Sequence, residues 1–243
     1  MKIFYDVDTQ NDFMNRDGKL YVPDAEIIKP NLAKLTGCAI GIRVPIVGSV
    51  DRHFGTEEYK ERELELQRWS GPFPDHCMGG KYGQSKIRET NLTESRKFIP
   101  HRLDNKVPYE ELEKAIEKLE ITALFFEKQS YDVFTNPSFE VFLRLAKIDE
   151  AVVYGVATDY CVKAAVLGMQ KHGIKCYVVE DAIKGVSPET TGSALEEMVK
   201  AGAKFVKAEE ILAGREKESL TDRKTRLEKE LENVDREIRD YEL

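Results

Sequence analysis

Short β-branched and aromatic runs recur along this 243-residue chain, each followed by a stretch with helical periodicity, and this alternation limits the possible folds more than any other feature. The runs are KIFYDV (2–7), VPIVGSV (44–50), ITALFFE (121–127), AVVYGV (151–156), KCYVVED (175–181) and KFVKA (204–208). Between them lie AEIIKPNLAKL (25–35), YEELEKAIEKL (109–119), SFEVFLRLAK (138–147), residues 159–172 and PETTGSALEEMVKAG (188–202), all of helical pattern. The strands are apolar nearly throughout instead of alternating with polar residues, so both faces of the sheet must be covered. The expectation is an α/β chain: a doubly wound, mostly parallel six-stranded sheet with helices on both faces.

Bulk properties narrow the partners. A net charge of −7 argues against nucleic acid or an anionic membrane surface. No apolar run approaches the ~20 residues of a membrane span. Asp6 interrupts the N-terminal apolar stretch before a signal-type segment develops, which predicts a cytoplasmic protein. The four cysteines (Cys38, Cys77, Cys161 and Cys176) form no C-x-x-C pair and read as free thiols. Cys38 and Cys176 read as packing residues, and His101 and His172 as surface residues.

Two charged stretches stand apart. TEEYKERELELQRW (56–69) reads as an inserted helix with a solvated face. From Gly214 onward 18 of 30 residues are charged, yet Leu220, Leu227, Leu231, Val234, Ile238 and Tyr241 recur with heptad spacing. The expected division is a folded domain over 1–213 and a helical extension over 214–243. That extension would pack on a second subunit, making the chain a homo-oligomer, or on its own body.

In open parallel sheets ligands bind beyond the carboxyl ends of the strands. There this chain places Asp8, Gln10, Asp12 and Phe13 (DTQNDF), then Asp51 and His53 (DRH), Lys128, and Cys161 (ATDYC). Capping by Thr158 or Asp159 would put Cys161 in the first turn of a helix, where the dipole and a nearby Lys128 ammonium favour a thiolate. Asp8 is then placed to take the thiol proton, giving an acid–lysine–cysteine triad, with the Ala157 and Cys161 N–H groups as an oxyanion hole. The competing reading makes Cys161 a small hydrophobe packing helix on sheet. Asp51 and His53, joined by His76 from PFPDHC (72–77), supply two imidazoles and a carboxylate, a set that suits Zn²⁺, Mn²⁺ or Fe²⁺.

DTQNDF, DRH, PDHC, the Glu127–Lys128 pair and GVATDYCVKAAVLGM…HGIKCYVVEDAIKG (155–185) together resemble the isochorismatase-like cysteine hydrolases, and within them the nicotinamidases. The resemblance covers about residues 1–210 and implies a Rossmann-type three-layer fold. It implies Asp8 as base, Lys128 as triad lysine and Cys161 as nucleophile, with a cis peptide at Val156–Ala157. It implies Asp51, His53 and His76 as ligands of a divalent ion, zinc first. It also implies a small-molecule amide as substrate, nicotinamide above all, bound between aromatic side chains. Phe13 matches one of these, Phe73 stands where the family carries tryptophan, and Tyr131 lies on the adjoining loop. The chain departs from the family pattern at MGGKYGQ (78–84), at QSYDVFTNP (129–137) and at the 56–69 insertion. The alternatives are the same triad acting on another small amide or carbamoyl compound, and a non-catalytic ligand-binding member of the family.

Overall fold

A computed structural model describes residues 1–214 apart from 94, 102, 104–106 and 120–122. The heptad-patterned extension over 214–243 therefore lies outside the described residues, save its first. Seven strands form one parallel sheet: β1 (Lys2–Val7), β2 (Ile46–Asp51), β3 (Arg96–Ile99), β4 (Ala123–Lys128), β5 (Glu150–Val156), β6 (Lys175–Lys184) and β7 (Lys204–Val206). Their spatial order is β3-β4-β2-β1-β5-β6-β7. Six were expected. The seventh, β3, is an edge strand of sequence RKFI that pairs only with β4, and three of its four residues are half-buried. An edge strand has one neighbour and a wet flank, so it needs no apolar run.

The chain builds one side of the sheet from β1 outward, then crosses back to lay β5 against the other flank of β1. The carboxyl ends of β1 and β5 thus border the point where the winding reverses, the place where such sheets open a crevice. Alternate residues feed two cores. Ile3, Tyr5, Val7, Leu124, Phe126 and Val153 pack on α3 (Tyr109–Glu117), α4 (Pro137–Leu145), α5 (Lys163–Lys171) and α6 (Pro188–Lys200). Phe4, Val50, Phe125, Val152 and Tyr154 face the other way, onto α2 (Lys29–Gly41) and the helical residues 208–214. The short α1 (Asn11–Met14) follows β1 directly. At Gly155, φ is +119° and a Cβ would meet the Val7 carbonyl oxygen at 2.1 Å, so β1 and β5 approach most closely beside the crevice only because this residue has no side chain.

Two expectations need correction. Residues 56–69 form two 3₁₀ turns, Glu57–Arg62 and Gln67–Trp69, instead of one solvated helix, and Glu63 between them is fully buried. His101 is 7% exposed, not a surface residue, whereas His172 is exposed. Cys38 sits inside α2 and is buried, as are the other three cysteines, and none of the four is in a disulfide. Among the described residues no helix is long and apolar enough to cross a membrane.

Candidate active site

Register brings the strand-end side chains together. Asp51 and Lys128 are the last residues of β2 and β4 and lie directly opposite one another. Asp8 follows β1 in the left-handed region (φ 47°), its N–H bonded to the Ser49 carbonyl. Lys128 Nζ lies 2.9 Å from Asp8 Oδ2, donates to Asp51 Oδ1 and stands 3.6 Å from Cys161 Sγ. Ser49 Oγ donates to Asp8 Oδ1 at 2.7 Å. All three members of the expected triad are buried, and Lys128 Nζ is in contact with both the Asp8 carboxylate and the Cys161 thiol.

Cys161 arrives by a route different from the one expected. Val156–Ala157 is a cis peptide, and residues Thr158–Val162 form a π turn ahead of α5. Neither Thr158 nor Asp159 caps it. The Asp159 carboxylate accepts instead from the N–H groups of Val186 (3.0 Å) and Ser187 (3.3 Å) and from the Thr190 hydroxyl, which ties the turn that carries Cys161 to the start of α6.

The charges settle in a sense opposite to a free thiolate. Burial pushes the Cys161 thiol well up; the Lys128 ammonium opposes this, and the Asp8 and Asp51 carboxylates add to it. Burial also raises the Asp8 carboxyl against the pull of Lys128. Burial alone would depress Lys128, but Asp51 and Asp8 more than offset it and hold the amine cationic. Burial and the two carboxylates thus favour the neutral form of the thiol, while Lys128 keeps its charge beside it.

Beside this cluster stand Asp51, His53, Glu65 and His76, which offer four ligand atoms within 4.8 Å of one another. His53 Nε2 is 3.4 Å from Glu65 Oε1 and 3.9 Å from Asp51 Oδ2; His76 Nε2 is 3.5 Å from Asp51 Oδ2 and 3.8 Å from Glu65 Oε1. The residues fit a divalent cation on two grounds. Both nitrogens of the buried His53 lack a hydrogen-bond partner. His76 Nδ1 lies 2.8 Å from the Pro74 carbonyl, which only accepts, so this nitrogen carries the proton and Nε2 keeps its lone pair toward the cluster. Two imidazoles and two carboxylates form a borderline set for Zn²⁺, Mn²⁺ or Fe²⁺.

Glu65 was not legible in the sequence. It sits in the charged 56–69 segment, whose local pattern suggests solvent. The segment instead folds back along residues 71–75, with Phe73 N–H bonded to the Glu65 carbonyl (2.9 Å) and Gln67 N–H to the Phe73 carbonyl (2.6 Å). Gln10 was noted only as a strand-end residue. Its side-chain amide mimics a neighbouring strand, accepting from Asp51 N–H and donating to the Asp51 carbonyl, both at 2.7 Å. Asp12 similarly accepts from the Cys77 N–H at 2.6 Å, anchoring the residue next to His76.

A cavity of about 80 Å³ opens onto Cys161, Asp51, Glu65 and His76. Phe13, Phe73, Tyr131 and Tyr160 are among its walls, so an apolar sleeve surrounds one polar end. Phe73 meets Tyr160 edge to face at 5.8 Å between ring centres, and Phe13 lies 5.5 Å from the His76 ring. Ala157 also lines the cavity, beside the thiol. The space suits a single small ring or a compact acyl group.

The known proteins agree with this architecture. Residues 6–210 match the model of the isochorismatase domain. The chain is 27% identical over 209 residues to the nicotinamidase of Escherichia coli (strain K12), covering 81% of this chain and 90% of that protein. It is likewise 27% identical over 206 residues to the nicotinamidase/pyrazinamidase of Mycobacterium tuberculosis, covering 85% and 98%. Among solved structures, the pyrazinamidase of Pyrococcus horikoshii in complex with zinc superposes with a TM-score of 0.64 at 26% identity, covering 85% of this chain and 98% of that one. The three-layer sheet, the strand-end cluster and these matches together place the chain in the isochorismatase family, on its nicotinamidase branch.

Proposed function

We propose that this protein is an amidohydrolase that cleaves the C–N bond of a small amide through a thioester on Cys161, with nicotinamide as the substrate and nicotinate and ammonia as products. One observation carries the reading: a thiol backed by a buried ammonium and carboxylate opens onto a small aromatic cavity that Asp51, Glu65 and His76 of the four-donor cluster also line. In the first step Asp8 takes the thiol proton and the sulfur attacks the amide carbon. The carbonyl π electrons move to oxygen, and the N–H groups of Ala157 and Cys161 hold that oxyanion. Collapse returns the electron pair, breaks the C–N bond and expels ammonia with the proton from Asp8. Water then gives a proton to Asp8, its oxygen attacks the thioester carbon, and the C–S bond breaks to release the acid and restore the thiol. Lys128 keeps Asp8 oriented and offsets negative charge passing between oxygen and sulfur.

Asp51, His53, Glu65 and His76 would hold a divalent ion, zinc being the reading favoured by the donor set and by the zinc complex of the Pyrococcus relative. Such an ion supplies a Lewis-acid contact for a lone-pair atom of the substrate. Phe13 and Phe73 sandwich the ring, and Tyr131 closes the outer end.

The test is ammonia release from nicotinamide by wild type, by Cys161→Ala and by metal-stripped protein. Release that needs both the thiol and the metal is the expected result; turnover by Cys161→Ala overturns the mechanism. A second reading keeps the triad but changes the amide. It is favoured by Tyr131, half-exposed at the mouth on a loop that departs from the family, and by Phe73 in place of tryptophan. No release from nicotinamide, with ammonia freed from another amide in a screen, would select it.

A further inference from the structure

Glu63 is fully buried although it belongs to the most charged stretch of the described chain. Both of its oxygens are fixed by backbone donors: Oε1 accepts from Phe54 N–H at 2.6 Å and Oε2 from Gly55 N–H at 2.8 Å. Held so, Oε1 lies 3.7 Å from Nδ1 of His53. That nitrogen has no hydrogen-bond partner, and the ring is fully buried, so no solvent replaces one. The other nitrogen, Nε2, faces Glu65 and Asp51.

A neutral imidazole has one N–H and one lone pair. With the proton on Nε2, the Nδ1 lone pair would face a carboxylate oxygen and the N–H would point into the donor cluster. With the proton on Nδ1, it faces Glu63 and the Nε2 lone pair faces the cluster. A shift of about half an ångström brings the 3.7 Å separation to hydrogen-bond length. His76 already has its own partner in the Pro74 carbonyl.

We propose that Glu63 is a positioning residue for the metal centre: it holds the proton on Nδ1 of His53, so that Nε2 keeps its lone pair for the ion. A carboxylate acceptor at this place also makes the imidazole a stronger donor to a metal. On this reading the 56–69 insertion brackets His53 between two carboxylates, Glu63 on one nitrogen and Glu65 on the other, and so completes the centre from both sides. The inference rests on the metal reading above.

The test is zinc titration of the metal-stripped full-length protein, by competition with a chromophoric chelator. Wild type, Glu63→Gln, His53→Ala and the double variant are compared. A glutamine is neutral and has one acceptor oxygen to share among the Phe54 N–H, the Gly55 N–H and the Nδ1 proton, so it holds that proton less firmly. We expect Glu63→Gln to bind zinc about 10- to 100-fold more weakly, and to have no further effect once His53 is alanine. Equal affinity of wild type and Glu63→Gln overturns the proposal, as does an undiminished effect in the His53→Ala background. Should Glu63→Gln fail to fold, nitrogen-15 NMR of the zinc-loaded wild type decides: a proton on Nδ1 and metal on Nε2 of His53 supports the proposal, and the reverse overturns it. Wild type that binds no zinc would overturn the metal reading as well, whereas zinc binding that ignores Glu63 overturns this inference alone.

Discussion

Lys128 holds its charge with no surface exposed to water, between two carboxylates that are themselves buried. Desolvating three ions is costly, and the arrangement persists because each charge has a partner. Replacing the lysine with methionine of similar length leaves Asp8 and Asp51 as unpaired like charges in the sheet's interior. We expect Lys128→Met to lose about 3–5 kcal/mol of stability in metal-free protein at neutral pH, measured by urea unfolding. The deficit should shrink as pH falls and the two carboxylates protonate. His101 gives a second test of buried charge. Burial, assisted by the Arg62 guanidinium, pulls this imidazole down to about 4. The unfolded side chain titrates near 6.5, so between about 6.5 and 4 the unfolded state binds more protons and stability declines as the pH is lowered through that window. His101→Gln should flatten the stability curve across that window and leave it unchanged above it.

Elements differ in how much of themselves they show in the sequence. β1, β2, β4 and β5 are buried on both faces, so their apolar composition is dictated locally, and these strands and the partly exposed β6 each lie within a few residues of where the apolar runs place them. β3 escaped notice because an edge strand is specified by its partner β4, not by its own RKFI. The triad positions were legible because they follow apolar strands at a common edge, and the resemblance added Phe13 and Phe73. Glu63 and Glu65 were not legible. They face the His53 ring, and Glu63 is held by the N–H groups of Phe54 and Gly55, some ten residues away in sequence, of which a local charge pattern carries no record. The same holds for Asn136, whose Oδ1 accepts from Ser138 N–H (3.0 Å) at the start of α4 while its Nδ2 donates to the Glu127 carbonyl (2.9 Å) beside Lys128. Asn136→Ala removes a helix cap and strands a buried carbonyl. The expected cost is about 2–4 kcal/mol, visible as a lower urea midpoint at constant slope. Ammonia release should fall too, because the carboxyl end of β4 loses its tether.

At the scale of the whole molecule, the parallel sheet explains why the chemistry sits where it does: adjacent strands β4, β2, β1 and β5 each deliver one part of the site to the same edge. Ala208, Ile211 and Leu212 pack on the α2 side of the core, just ahead of the charged C-terminal stretch. That stretch carries heptad-spaced apolar residues, and an apolar seam of that length gains little from an isolated helix in water. We therefore expect the extension to join copies of the chain. Deleting residues 215–243 should leave the fold of 1–214 and its triad intact, judged by circular dichroism and by ammonia release, while light scattering shows a lower mass. Unchanged mass would place the seam on the chain's own body. The two outcomes also differ in concentration dependence. A helix that joins subunits makes the full-length melting temperature rise with protein concentration, and its deletion abolishes that rise. A helix that packs within one chain gives a melting temperature independent of concentration in both forms.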